Sequence, residues 1–135
     1  MVQPVYNFLG YSINEIKITN EHKENTYVGI SIPHDYFDAK TKMYSIFIRI
    51  STDFSDDESY IIFQGGFQIN DLKWYDSLKE NIRKSIFFAI LFPFVREKVY
   101  SITSDSNPGL FIPTINVKEI DFSKELRLIK TTQSN

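Results

Sequence analysis

The chain has 135 residues, a formal net charge of −2 and no cysteine. This length suits one globular domain over residues 1–135, and the charge argues against a nucleic-acid binder, which usually carries a strongly basic patch. The missing cysteines exclude disulfides, thiolate nucleophiles and cysteine-ligated metals, and their absence suits a cytoplasmic protein, which we expect. Aromatic residues make up 16% of the chain, so either the core is unusually aromatic or some rings face a partner.

No membrane insertion is expected. The longest apolar run, residues 86–95, covers about ten residues, well short of the roughly twenty that a spanning helix needs. The first residues lack a basic stretch followed by an apolar one, so we expect no secretion signal.

Four strands are predicted before residue 70. In the first, "LGYSI" places Leu9, Tyr11 and Ile13 on one face, and "EIKIT" restarts the alternation at Ile16. The phase therefore slips near Asn14, which predicts a bulge or bend there.

The next three strands have regular alternation. The second, "YVGISIP", alternates at Val28, Ile30 and Ile32, and the third is "MYSIFIRI". The fourth, "SYIIFQGGFQI", carries Gly65 and Gly66 in its middle. Glycines inside a strand predict a bulge or close packing against another part of the chain.

The apolar period becomes helical after residue 71. Leu78, Ile82 and Ile86 recur at a spacing of four, and Asn70 or Asp71 can cap the start. The pattern crosses a proline at position 93, resumes at residues 95, 99 and 102, and stops at "SDSNPG". For the last third we predict a terminal helix of uncertain start; a strand followed by a short helix is the alternative.

No constellation of catalytic residues is visible, so we expect no enzyme, no cofactor and no metal. His22 and His34 have no ligand spacing around them, and the acidic turn "DFSDDES" lacks the glycine and closing glutamate of a calcium loop. The glycines of "FQGGFQ" do not form a nucleotide-binding motif.

The order of three motifs resembles the SecB family of protein-export chaperones. In that family a strand ending in Gly-x-Phe leads to a long helix with a Leu-Phe-Pro-Phe/Tyr-x-Arg-Glu core, and a loop with Gly and Pro-x-Asn-Phe follows. The matching residues are Gly65, Phe67, Leu91, Phe92, Pro93, Phe94, Arg96, Glu97, Gly109, Pro113 and Asn116. The resemblance extends over roughly residues 8–120.

The resemblance implies an α+β fold: a four-stranded antiparallel sheet with a long kinked helix and a C-terminal helix packed on one face. It also implies a homo-oligomer, a dimer of dimers, in which Leu91, Pro93, Arg96 and Glu97 lie at a subunit interface or in internal packing. The strands-then-helices order independently predicts an α+β class.

The function implied is that of an ATP-independent chaperone that holds unfolded polypeptides in apolar grooves for export or assembly. Its client-binding groove would include Val28, Ile30 and Ile32, presented as a strip on one face of the second strand. Phe92, Phe94 and Phe111 are further candidates for the groove, and the same three residues could instead belong to the core.

The partner depends on which branch of the family the chain follows. Classical members contact the SecA motor through acidic positions on the sheet, whereas this chain has Tyr60, Ile61 and Ile62 there and a basic C-terminal tail. Other SecB-like chaperones hold the antitoxin of a toxin-antitoxin system. A small-ligand-binding domain and a purely structural oligomer are the remaining alternatives.

Overall fold

The computed structural model describes residues 3–17, 27–52, 59–103, 112 and 120–129. These residues form strands and helices in the order β1 (Tyr6–Lys17), β2 (Tyr27–Ser31), β3 (Asp35–Asp38), β4 (Met43–Thr52), β5 (Ser59–Ile69), α1 (Leu72–Ser77), α2 (Glu80–Thr103) and β6 (Leu126–Ile129). The predicted α+β architecture is confirmed, with strands first and the long helix after them.

The strands form one six-stranded antiparallel sheet, two strands larger than predicted. Its order is β1-β5-β4-β2-β6, and β3 pairs with the part of β4 that β2 leaves free. The two additional strands, β3 and β6, have four residues each. Such short segments carry too few side chains for a period of two to distinguish them from loops.

Strand β1 contains two irregularities in its pairing with β5. The register shifts between Ile13 and Glu15, which confirms the predicted bulge near Asn14, and shifts again between Phe8 and Gly10. The second shift moves Leu9 to the face opposite Tyr11 and Ile13, so the prediction that these three share a face is wrong for Leu9. With these two shifts, Tyr6, Phe8, Tyr11, Ile13 and Ile16 of β1 all lie on the face that carries α2.

The core lies between that face of the sheet and α2. Strands β4 and β5 bury every second side chain, as their alternation predicts, because an antiparallel sheet packed on one side alternates buried and exposed residues. The buried residues are Tyr44, Ile46, Ile48 and Ile50 of β4 and Ile61, Phe63, Phe67 and Ile69 of β5.

Helix α1 begins where the sequence predicts a cap. Asp71 is the N-cap, and its side chain accepts a hydrogen bond from the Trp74 backbone N–H at 3.0 Å. Asn70 instead donates its side-chain amide to the Pro4 carbonyl at 2.9 Å. The predicted single helix is interrupted at residues 78–79, between α1 and α2.

The buried side of α2 is the predicted one in the C-terminal half, where Val95 and Val99 are fully buried. It differs in the N-terminal half, where Ile82 is 48% exposed and Phe87 and Leu91 are fully buried instead. Residues 86–95 are apolar around the whole helix, so periodicity alone does not indicate which side faces the sheet.

Pro93 lies inside α2, and the helix continues through it to Thr103. Proline cannot donate the backbone hydrogen bond to the carbonyl four residues earlier, which belongs to Ala89. Both Ala89 and Pro93 are on the exposed side of the helix. Solvent can therefore replace the missing donor, which lowers the cost of placing a proline there.

The predicted C-terminal helix is wrong for residues 126–129, which form strand β6. Leu126 and Leu128 alternate with Arg127 and Ile129 along β6, and the strand pairs with β2 from Ile30 to Tyr27. Residues 126–129 pair with the free edge of β2, which satisfies their backbone N–H and C=O groups. A helix would have made these hydrogen bonds within itself.

Candidate functional site

The three residues predicted as a client-binding strip are part of the core. Val28, Ile30 and Ile32 are 2%, 3% and 8% exposed. They point towards the same face as α2, as the alternation along β2 predicts, but they do not present an open strip in this conformation. The expectation that they are exposed is therefore corrected, and their role in client binding stays a prediction.

The chain's own C-terminal segment contributes to this burial. Strand β6 pairs with β2 so that Leu128 lies opposite Val28 and Leu126 lies opposite Ile30. Ahead of β6, the Phe122 ring lies 5.1 Å from that of Phe88 on α2. We call residues 120–129 the C-terminal segment; it borders the predicted strip on the side away from β4.

The three phenylalanines proposed from the sequence have different positions. Phe92 is 4% exposed and stacks on Phe88, with ring centroids 4.7 Å apart, so it belongs to the core. Phe94 is 41% exposed and lies 5.5 Å from Phe8 and 5.7 Å from Tyr11. Phe111 lies outside the described residues. Of the two phenylalanines that the structure describes, Phe94 is the one within reach of another chain.

An exposed groove runs along the C-terminal half of α2. It has a volume of about 370 Å³ and is lined by Pro93, Arg96, Glu97, Tyr100 and Ile112. We call these residues together with Phe94 the α2 surface. Tyr100 is 53% exposed. The surface therefore combines the aromatic rings of Phe94 and Tyr100 with the charged side chains of Arg96 and Glu97. Sequence reasoning missed Tyr100, which follows the charged cluster after the apolar run.

Of the residues predicted to lie at a subunit interface or in internal packing, some are buried and others are exposed. Leu91 is fully buried and packs against β5, where a Cβ added to Gly65 would lie 2.7 Å from its Cδ2 atom. The close approach predicted from the glycines is therefore made by the helix. Arg96 donates from Nε to the Ile112 carbonyl at 3.1 Å, whereas Pro93 and Glu97 are exposed.

A second apolar region lies on β1, the edge strand next to β5. Tyr11, Ile13 and Ile16 are 37%, 37% and 49% exposed and share the face that carries α2. We call these three residues the edge surface. Among the described strands β1 pairs only with β5, so its outer edge carries backbone groups that another strand can pair with.

The strongest electrostatic perturbation lies away from both surfaces. Tyr44 is fully buried and donates its hydroxyl to Asp35 Oδ2 at 2.7 Å. Burial, assisted by the hydrogen bond to Asp35, raises the pKa of Tyr44 far above its usual value. This pair joins β3 to β4 under the ring of Tyr75, and its position inside the core indicates a structural role.

Among the described residues, no cluster of three or more His, Cys, Asp or Glu side chains could hold a metal ion. His34 is exposed and stacks on Phe47, with ring centroids 4.0 Å apart; His22 lies outside the described part. In the same part of the chain, no helix is both long enough and apolar enough to cross a membrane.

Comparison with known proteins identifies the fold. No family model matches the chain, and no curated protein does either. Among solved structures, a SecB-like chaperone of Mycobacterium tuberculosis, in complex with a ChAD peptide from the HigA1 antitoxin, superposes with a TM-score of 0.60. The sequence identity is 14%, and the match covers 82% of this chain and 90% of the other.

A protein of unknown function from Streptococcus agalactiae has a TM-score of 0.31 and 15% identity over 81% of this chain and 93% of that one; no argument rests on it. The sequence motifs and the structural match to the mycobacterial protein agree. The chain has the fold of the SecB-like chaperones.

Proposed function

We propose that this protein is a non-enzymatic chaperone that holds non-native polypeptides on apolar surfaces without ATP. The observation that carries the proposal is the α2 surface, where two aromatic side chains and a groove lie exposed on a SecB-like fold. Large exposed apolar groups on a soluble protein mark interaction sites, because leaving them in water is unfavourable. The neighbouring fold belongs to a chaperone that was solved with a bound peptide.

For the client, we propose an antitoxin-like segment rather than a polypeptide delivered to SecA. The mycobacterial neighbour holds an antitoxin peptide, which supports this choice. Tyr60 and Ile62 occupy the outer face of β5, where classical members have acids. The Arg49 guanidinium lies over the Tyr60 ring, with its carbon 4.7 Å from the ring centroid. The carboxylate nearest to Tyr60 is that of Glu15 on β1, which accepts a hydrogen bond from the Tyr60 hydroxyl at 2.9 Å, so at these two positions β5 itself offers no acid to a partner that recognises acids.

We also propose that the protein assembles into a homo-oligomer through the edge surface. Pairing of β1 with β1 of a second copy would continue the sheet and cover Tyr11, Ile13 and Ile16. Replacing Ile13 and Ile16 with Lys should lower the mass measured by light scattering to that of a smaller species. A wild-type mass near 15.8 kDa at all concentrations would contradict assembly.

A holdase assay tests the proposed function. Aggregation of a chemically denatured client is followed by light scattering as the client is diluted into buffer with increasing amounts of the protein and no nucleotide. We expect suppression of aggregation at stoichiometric amounts. The double variant Phe94→Ser Tyr100→Ser should suppress less, because it removes apolar contact area at roughly 25 cal/mol per Å².

Ile82→Ser is the matched control, since Ile82 is an equally exposed apolar residue of α2 outside the α2 surface. If wild-type protein leaves aggregation unchanged, the chaperone proposal is wrong and a structural oligomer becomes the better explanation. If the control variant loses as much activity as the double variant, general hydrophobicity rather than the α2 surface accounts for binding.

A further inference from the structure

The C-terminal segment occupies β2 in the way that an extended peptide would. It places a buried aromatic side chain, Phe122, against Phe88 of α2 and then runs antiparallel to β2 as β6. In β6 two leucines alternate towards the core side and are partly buried there. One aromatic anchor followed by backbone pairing and alternate apolar side chains is a recurring mode of peptide recognition.

A small recess over Gly29, which we call the notch, holds the side chain of Glu125 and fixes the position of this segment. Ser51 is 1% exposed and donates its hydroxyl to Glu125 Oε1 at 2.9 Å. The Glu125 carboxylate lies directly over Gly29 of β2, where an added Cβ would collide with it. The absence of a side chain at Gly29 therefore creates room for a carboxylate on the strand that the resemblance assigns to client binding.

The segment is attached to the sheet through a short edge strand. Among the described strands β6 pairs only with β2 and has four residues, whereas β1, β4 and β5 have twelve, ten and eleven. Short edge strands with partly buried side chains open at a lower free energy than central strands. Opening would free the outer edge of β2 and uncover Val28 and Ile30.

We propose that residues 120–129 are an intramolecular strap over a client site on β2, and that an extended client held on the α2 surface also needs this second site and binds it by replacing the strap. The inference rests on the proposed chaperone function and adds its regulation and the chemistry of its client. The strap itself defines that chemistry: an acidic residue that enters the notch at Gly29, followed at once by apolar residues at alternate positions. Phe122 indicates an aromatic residue shortly before them.

A reversible covalent lock tests the strap in the full-length protein. Val28 and Leu128 are directly opposite each other, and opposed residues of an antiparallel pair are close enough for a disulfide. The wild-type chain has no cysteine, so Val28→Cys Leu128→Cys can form one intrachain disulfide, verified by mass spectrometry. The probe is fluorescein-labelled, reduced and carboxymethylated α-lactalbumin, which stays unfolded in either redox state, and its binding is measured by anisotropy.

We expect the oxidised variant to bind the probe at least about tenfold more weakly than the same protein after reduction, because the lock removes the binding-competent state. Ser45→Cys Gly66→Cys is the control: it links β4 to β5 at opposed positions and should bind equally in both redox states. Glu125→Ala, which removes the carboxylate of the strap and leaves the notch over Gly29 open, should bind the probe more tightly than wild type.

The outcomes separate the two proposals. Equal binding by the oxidised and reduced forms of the β2–β6 variant would overturn the strap and leave the chaperone function standing. No binding by wild type or by any reduced variant would overturn the chaperone function itself. If the cysteine variant fails to fold, unchanged or weaker binding by Glu125→Ala overturns the strap on its own.

Discussion

Truncation of two phenylalanines that are two residues apart in α2, and therefore on different sides of the helix, tests how the helix packs. Phe92 is 4% exposed and stacks on Phe88, whereas Phe94 is 41% exposed against β1. Phe92→Ala removes a buried ring and leaves a cavity, so it should lower the free energy of unfolding by about 3–5 kcal/mol. Phe94→Ala loses a partly buried ring where water fills the space, so it should cost only about 1–2 kcal/mol.

Urea denaturation followed by circular dichroism measures the difference between the two variants in the free energy of unfolding. With a slope of about 2 kcal/mol per M urea, Phe92→Ala should lower the midpoint by roughly 2 M and Phe94→Ala by less than roughly 1 M. All variants are compared at one protein concentration, because assembly makes the apparent stability depend on concentration. The double variant should lose about the sum of the two.

Equal losses at the two positions would refute this reasoning. They would mean that Phe94 is covered in the assembled protein and acts as a packing residue. Light scattering on the Phe94→Ala variant distinguishes the causes, since loss of a subunit contact changes the mass and loss of internal packing does not.

Two further predictions concern β5 and the buried tyrosine. Gly65→Ala places a Cβ against Leu91 and should cost about 1–3 kcal/mol by overpacking, measured by the same denaturation. The double variant Gly65→Ala Leu91→Ala should lose less than the sum of the two single losses, because the shorter side chain removes the clash. Because burial and Asp35 raise the pKa of Tyr44 above its unfolded value, Tyr44 favours folding fully below about pH 10, and its contribution declines by about 1.4 kcal/mol per pH unit above that. Tyr44→Phe should make alkaline unfolding less steep, and an unchanged pH profile would contradict the assignment.

The long elements of the fold are determined by local patterns. The alternation in β4 buries Tyr44, Ile46, Ile48 and Ile50 as predicted, because a sheet covered on one face requires a period of two. The slip in phase near Asn14 correctly indicated a bulge. Asp71 caps α1 since a carboxylate satisfies backbone N–H groups at a helix start.

The sequence alone could not determine the buried side of α2 or the structure of residues 126–129. An apolar helix fits a sheet in several rotations, and the aromatic layer of β5 and β1 selected the one that buries Phe87 and Leu91 and leaves Phe94 outside. Residues 126–129 have little local preference, and the free edge of β2 made them a strand. Val28 and Ile30, which the resemblance implies as an open strip, are buried in a core against which Leu126 and Leu128 of β6 also pack. Such long-range contacts leave no local signal in the sequence.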